Sequence, residues 1–286
     1  MSQASFAPGV ATAYLASGEV YTDALSGAPV AGMTDVPVLL TKRDGLPSDI
    51  SGELSRLNPG RVVVLEGPNT ITDSVAAQAA SAAGAPSERW SGADRFATSA
   101  AISAESYEPG VDTVYVASGR VFTDALSGAP VAGKNAGPVL LVDTDNLPDA
   151  IATELTRLAP RRIVVLGGTN TITSAVEATL GAYASAVERW AGPDRFSTSA
   201  VITRLSYDPG VGTVYIASGR VFSDALSGAP VAGMTAGPVL LTDTTKLPES
   251  VAAELMRLEP KRIVVLGGPN TISYAVQARL SNFVTP

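Results

Sequence analysis

The chain has 286 residues, 27 acidic against 20 basic, and a formal charge of −7 with no histidine and no cysteine. That balance excludes the basic stripe of a nucleic-acid binder. The missing residue types remove disulfides, thiolate zinc sites, thiol nucleophiles, the histidine-based triad and the usual general base.

Ten residues, DALSGAPVAG, occur three times without change, at Asp23–Gly32, Asp124–Gly133 and Asp224–Gly233. The copies lie 101 and 100 residues apart. A period near 100 is too long for a solenoid and suits a small domain with its own core. The expected units are residues 1–88, 89–188 and 189–286.

Each unit opens with a short β-branched run ending in glycine, Ala13–Gly18, Val114–Gly119 and Val214–Gly219, which reads as a buried strand. DALSGAPVAG follows. Thr22/Asp23, Thr123/Asp124 and Ser223/Asp224 suit the capping of a helix N-terminus. Pro29, Pro130 and Pro230 lie several residues in, so a short or kinked helix is expected. A second strand follows at Pro37–Thr41, Pro138–Val142 and Pro238–Thr242. A helix is expected over Pro47–Leu57, Pro148–Leu158 and Pro248–Leu258, with proline in the first turn. Ile151, Leu155 and Leu158 make its buried stripe. The third strand is Arg61–Leu65, Ile163–Leu166 and Ile263–Leu266. It runs into Glu66-Gly67, Gly167-Gly168 and Gly267-Gly268, an Asn-Thr-Ile turn, and a helix capped by Thr72, Thr173 or Ser273. Each unit thus reads β-α-β-α-β-α. Continuous apolar strands alternating with helices imply α/β repeats, each a small parallel sheet covered on both faces.

Between units, Glu88–Phe96 matches Glu188–Phe196, and each leads into a helix, Ala97–Ser106 or Ser197–Ser206. Nothing similar precedes the first unit or follows the third. If this segment opens a repeat, the first repeat lacks it.

The order Arg-x-x-Gly-x-Asp-Arg-Phe, Ala-Ser-Gly-x-x-x-x-Asp-Ala-Leu-Ser, Pro-Val-Leu-Leu and Val-Leu-Gly-Gly-x-x-x-Ile resembles the cell wall binding repeat 2 family. The resemblance covers almost the whole chain. It implies three modules of a flavodoxin-like or Toprim-like kind on a secreted Gram-positive protein. It further implies non-covalent, non-catalytic attachment to the wall through anionic secondary polymers, with effector domains elsewhere. The first copy departs from the pattern. It lacks the Gly-x-Asp-Arg segment, has Glu19 where the others have Arg120 and Arg220, and has Glu66-Gly67 for Gly-Gly.

Ligands of open parallel sheets bind beyond the carboxyl ends of the strands. The candidate ligand residues gathered there are Arg120, Arg220, Arg95, Arg195, Asp124, Asp224, Asn170, Asn270, Trp90 and Trp190. Each has a structural alternative. The aspartates suit helix caps. Asp94–Arg95 and Asp194–Arg195 suit a capped helix start whose arginine reaches a neighbouring copy. The tryptophans suit either sugar stacking or packing. Gly-Gly suits tight packing, because the lysine of a phosphate loop is missing. DALSGAPVAG itself is read as core and interface, its small residues letting three copies close as a pseudo-threefold ring. A monomer with that internal symmetry is expected.

A charge of −7 opposes an anionic polymer at long range. Binding therefore needs clustered arginines, a bridging cation such as Ca²⁺, or mainly sugar hydrogen bonds; no other cofactor is expected. The partner the resemblance implies is a secondary wall polymer or peptidoglycan; no nucleic acid and no membrane insertion are expected. The opening MSQASFAPGV shows no signal-peptide pattern, so an intracellular protein or a mature portion of a wall protein is expected, and the resemblance favours the second. Two other classes stay open: a self-assembling surface protein, and a Mg²⁺-dependent enzyme acting on phosphate or nucleotide.

Overall fold

The computed structural model describes residues 1–285. A single helical turn, α1 (Ser2–Ser5), precedes the first repeat, which contains β1 (Thr12–Ser17), α2 (Thr22–Met33), β2 (Val38–Thr41), α3 (Ser48–Leu57), β3 (Arg61–Val64), α4 (Asp73–Ala83) and β4 (Ser87–Arg89). The second contains α5 (Arg95–Ser106), β5 (Thr113–Ser118), α6 (Phe122–Lys134), β6 (Val139–Val142), α7 (Asp149–Leu158), β7 (Arg162–Leu166), α8 (Ser174–Leu180) and β8 (Ala186–Trp190). The third contains α9 (Arg195–Ser206), β9 (Thr213–Ser218), α10 (Ser223–Met234), β10 (Val239–Thr242), α11 (Glu249–Leu258), β11 (Arg262–Val265) and α12 (Tyr274–Leu280), then a 3₁₀ turn at Ser281–Phe283. All strand pairs are parallel, in the orders β2-β1-β3-β4, β6-β5-β7-β8 and β10-β9-β11.

The three-repeat α/β reading holds, with one element added. β4 and β8 are edge strands within the segment that the sequence presents as a connection. Their polar residues, such as Glu88 and Arg89, carry no alternation a strand would show. They pair outside β3 and β7. β8 straddles the 188/189 division.

DALSGAPVAG forms one helix in each repeat, 12, 13 and 12 residues long, running past Pro29, Pro130 and Pro230. Each copy is therefore a single helix of ordinary length that the proline does not interrupt. Proline removes one intrahelical bond, and burial of nearly every residue of α2 and α6 outweighs it. The expected capping role of the aspartates does not occur. The cap positions are Tyr21, Val121 and Phe222, and no side chain bonds the helix start. Helix formation begins before the aspartate, which places Asp23, Asp124 and Asp224 inside the first turn. Thr72 and Ser273 do cap α4 and α12, whereas Thr173 makes no cap bond.

The three helices α2, α6 and α10 pack on one another around the pseudo-threefold axis. A Cβ on Gly32 would lie 3.2 Å from the Gly233 Cα, and one on Gly133 would lie 3.0 Å from the Pro29 carbonyl oxygen. At the other end of the axis Tyr21, Phe122 and Phe222 form a ring triangle with centroids 5.4–5.9 Å apart. The Tyr21 hydroxyl also donates to the Arg120 carbonyl at 2.7 Å. The invariant stretch is thus the shared core of three modules, as its small residues imply.

A second device recurs on the outside. Glu53, Glu154 and Glu254 are buried and ion-paired to Arg56, Arg157 and Arg257 at 2.6–2.7 Å. The same arginines donate to the carbonyls of Phe6, Tyr107 and Tyr207. Each pair thus ties the second helix of a repeat to the end of the helix that enters it. A buried acid with its arginine three residues on was present in the sequence three times, inside a helix otherwise read for its apolar stripe.

Candidate functional site

In an order 2-1-3 sheet the chain leaves neighbouring strands β1 and β3 in opposite directions, so a crevice opens above their carboxyl ends. In the second repeat that crevice lies between the start of α6 and the turn after β7. The following segment, Gly192–Arg195, closes its outer side. The result is a cleft of about 180 Å³ lined by Thr123, Asp124, Asn170, Thr171, Asp194 and Arg195, among others. Three of the candidate residues, Asp124, Asn170 and Arg195, therefore meet in one place at the seam between repeats two and three.

Local structure explains each position. Asp194 caps α9, accepting the Ser197 N–H at 2.7 Å in a capping box. Hydrogen bonds from Ser197 hold its carboxyl below the ordinary range. Arg195 then begins the helix and donates to the Gly219 carbonyl of the third repeat at 2.7 Å. At the first seam Asp94 caps α5 by accepting the Phe96 and Ala97 N–H groups, and Arg95 donates to the Gly119 carbonyl. The helix start is capped as expected, but each arginine bonds a carbonyl of its own repeat rather than one of the neighbouring copy. Asn170 and Asn270 stand exposed on the turns after the third strands.

Asp124 is 4 % exposed. Burial pushes its carboxyl up to about 6, against the pull of the nearby Arg195. It lies under Gly167, where a Cβ would come 2.2 Å from the Asp124 Oδ2. Gly167 also has φ +102, open to glycine and strained for other residues. Gly167 is therefore a packing requirement here, whereas a Cβ on Gly168 would meet nothing within 4 Å. In the third repeat Asp224 is half-buried and takes a bond from the Thr271 hydroxyl at 3.3 Å.

In the first repeat Glu66 replaces that glycine. It is fully buried and accepts the Ser17 N–H at 2.7 Å. Its other oxygen, Oε1, and Oδ1 of Asp23 have no hydrogen-bond partner among the described residues. Burial, then the Asp23 charge, pushes the Glu66 carboxyl up to about 9. Asp23 is pushed up to about 7 by burial. Two acids that avoid ionising together share the place that a single acid holds elsewhere.

Arg120 and Arg220 are exposed but not free. Arg120 grips Asp143 through two bonds of 2.6 and 2.7 Å, and Arg220 grips Asp243 at 2.5 Å. The Arg120 guanidinium holds Asp143 down to about 2. Neither lines the cleft.

Trp90 and Trp190 are buried, at 8 % and 5 % exposed. They pack on Tyr14 and Tyr115, with Arg61 and Arg162 over their rings. No sugar-sized face is open, because each ring closes the strand β4 or β8 onto its sheet.

Among the described residues no group of three or more His, Cys, Asp or Glu side chains is placed to hold a metal ion. No helix there is long and apolar enough to cross a membrane.

The cleft can do one kind of chemistry well. Two carboxylates, an amide, three hydroxyls and one arginine supply both donors and acceptors around a small volume. Such a mixture matches hydroxyl groups better than a bare phosphate, which two acids repel.

Comparison with known sequences matches the family described as Cell wall binding domain 2 (CWB2) at residues 2–76, 89–177 and 189–277. The chain is 32% identical over 203 residues to the amidase enhancer of Bacillus subtilis (strain 168), covering 70% of this chain and 27% of that protein. It is 24% identical over 272 residues to the N-acetylmuramoyl-L-alanine amidase LytC of the same organism, covering 95% of this chain and 53% of that one. The chain thus spans about a quarter and about half of these two relatives. Among solved structures, Cwp8 from Clostridium difficile superimposes with a TM-score of 0.87 at 27% identity, over 99% of this chain and 49% of that one. Cwp6 from the same organism shares the fold at a TM-score of 0.90 and 24% identity, over 97% of this chain and 44% of that one.

Proposed function

The chain belongs to the Cell wall binding domain 2 family, and from that premise we propose that it is a non-catalytic module holding a bacterial surface protein to the cell wall. The attachment is non-covalent and the partner is a secondary wall polymer. The relatives favour a location role over chemistry. The same unit makes up part of an amidase and part of an amidase enhancer. A part shared by proteins of different name is better suited to placing them than to catalysing one reaction.

The observation that carries the proposal is the seam cleft, where Asp124, Asn170 and Arg195 converge at the switch point of the second sheet. Arg120 and Arg220 are already paired to aspartates, so a long-range positive field is not the means of capture. The cleft instead recognises sugar units by hydrogen bonds, with Arg195 the charge nearest any acidic substituent.

The test is sedimentation of the 286-residue chain with purified Gram-positive walls, before and after extraction of their secondary polymers. Retention should fall after extraction. It should also fall at least tenfold in an Asn170→Ala/Arg195→Gln double variant whose circular dichroism is unchanged, the expected effect of losing about 1.4 kcal/mol or more of polar contact. Retention that survives extraction would redirect the reading to peptidoglycan. Retention indifferent to the double variant would remove the cleft from it.

A further inference from the structure

The Pro193–Asp194 turn has a cavity on each side. One is the seam cleft, which both residues line together with Asp124, Asn170 and Thr171. The other is a second cavity of about 540 Å³ against the third repeat, which the same two residues line together with Phe196, Lys246, Glu249 and Ser250. It lies between the start of α9, the loop after β10 and the start of α11.

Local structure fixes the walls of this second cavity. Phe196 is the second residue of α9 and half-buried. Its ring packs on the hydrophobic core and sits against Gly219, where a Cβ would lie 2.6 Å from the ring. Arg195, one residue earlier, holds the Gly219 carbonyl at 2.7 Å. The ring is therefore a preorganised apolar wall. The loop after β10 is tied down by the Thr242 hydroxyl, which donates to the Lys246 carbonyl at 3.2 Å. The Lys246 ammonium makes no ion pair or hydrogen bond among the described residues, and the Ser250 hydroxyl makes no hydrogen bond among them.

Two of the acids around the cavity are already engaged. Arg220 grips Asp243 at 2.5 and 3.0 Å. Asp194 caps α9 through Oδ1, which takes the Ser197 N–H and hydroxyl at 2.7 and 2.6 Å. Its Oδ2 takes neither bond and remains available to a ligand. Lys246 and Glu249 add one exposed charge of each sign. An apolar ring rimmed by donors and acceptors suits a sugar, whose C–H face lies on aromatic carbons while its hydroxyls meet the polar rim. A bare anion would face the carboxylates of Asp194 and Glu249.

We propose, on the reading that the seam cleft holds a wall sugar, that the two cavities are adjacent subsites of one groove and that the ligand is a glycan gripped through at least two consecutive units. One unit occupies the seam cleft against Asn170 and Arg195. The next lies beyond the Pro193–Asp194 turn, on Phe196, and bonds Lys246 and Ser250. Oδ2 of Asp194 accepts a hydroxyl at the junction of the two. The first seam lacks the second subsite's polar groups, since the loop and helix start of the second repeat carry Asn146 for Lys246 and Ala150 for Ser250.

The probe is a pair of fragments, of one and of two sugar units, made by partial acid hydrolysis of the secondary polymer extracted from purified Gram-positive walls and separated by size. Their dissociation constants for the 286-residue chain are measured by saturation-transfer NMR. The two-unit fragment should bind about tenfold or more tighter than the one-unit fragment, as added polar and apolar contacts require. A Lys246→Ala/Ser250→Ala double variant, with circular dichroism unchanged, should cut that advantage to about threefold or less. Phe196→Leu keeps an apolar contact with the core, removes the flat ring, and should reduce the advantage in the same direction. An affinity that does not rise from one unit to two overturns the proposal, and so does a rise that the double variant and Phe196→Leu leave intact. In either case fragment binding that is lost in the Asn170→Ala/Arg195→Gln variant leaves the seam cleft standing alone. Failure of both fragments to bind overturns the groove and the sugar reading of the seam cleft together.

Discussion

Glu66→Gln isolates the buried acid pair of the first repeat. The unfolded carboxyl titrates near 4.5 and the folded one near 9, raised by burial and by Asp23. Between those values the folded chain holds a proton that the unfolded chain has released. Stability therefore falls as pH rises, by about 1.4 kcal/mol per pH unit from this group. It is fully present below the unfolded value and exhausted above the folded one. From about pH 5 to pH 7 the loss is on the order of 3 kcal/mol, a large share of a typical domain's stability. Glutamine keeps an acceptor for the Ser17 N–H and does not titrate. Urea unfolding followed by circular dichroism at a series of pH values is the assay. The variant should match the parent near pH 5 and exceed it by on the order of 4 kcal/mol near pH 8. Asp124, also raised by burial, tilts both curves the same way, so the difference reports Glu66 together with its coupling to Asp23. Parallel curves, or a variant weaker than the parent at high pH, would refute the reasoning.

Two further changes test the scaffold. Ala159 ends α7 at φ 44, ψ 56, and Glu259 ends α11 at φ 48, ψ 54; Ala159→Gly should raise the urea midpoint without changing the slope, by about 0.5–1 kcal/mol, because the left-handed conformation costs an L-residue more than glycine's added chain entropy. Gly32→Leu drives a side chain into the axis where even a Cβ would lie 3.2 Å from Gly233; a drop of several kcal/mol in thermal stability is expected, and an unchanged melting temperature would show that the three helices are not held that closely.

Much of this structure was legible because the chain states it three times. The β-branched runs beginning at Ala13, Val114 and Val214 became central strands, and Ile151, Leu155 and Leu158 became a fully buried stripe. The small residues of the invariant stretch became the axis. What escaped was set by tertiary context. β4 and β8 are strands because an edge of β3 or β7 was free to pair, and their own residues carry no such pattern. Asp23 and its equivalents look like caps in sequence, and lose that role because helix formation starts earlier under the aromatic triangle. Arg120 and Arg220 read as free charge, since nothing in sequence shows that Asp143 and Asp243, 23 residues on, reach them. The meeting of Asp124, Asn170 and Arg195 depends on a crossover and a seam that only the fold supplies.

The pattern of identity and divergence follows from that geometry. A residue on the axis faces its own equivalents, so Gly32 cannot change without Gly133 and Gly233 feeling it. Identity across copies is thus a packing condition on a pseudo-symmetric contact. A residue at the carboxyl ends of the strands lies off the axis and is under no such condition. There the copies differ: Glu19 against Arg120 and Arg220, and Glu66 against Gly167 and Gly267. Glu66 fills beneath the first crevice with a second acid, whereas Gly167 leaves Asp124 alone in the second. The third seam is walled by no following segment among the described residues. The first two seams therefore share the capped helix and its arginine, and differ in what lies beneath the crevice, Asp23 with Glu66 in the first and Asp124 alone in the second.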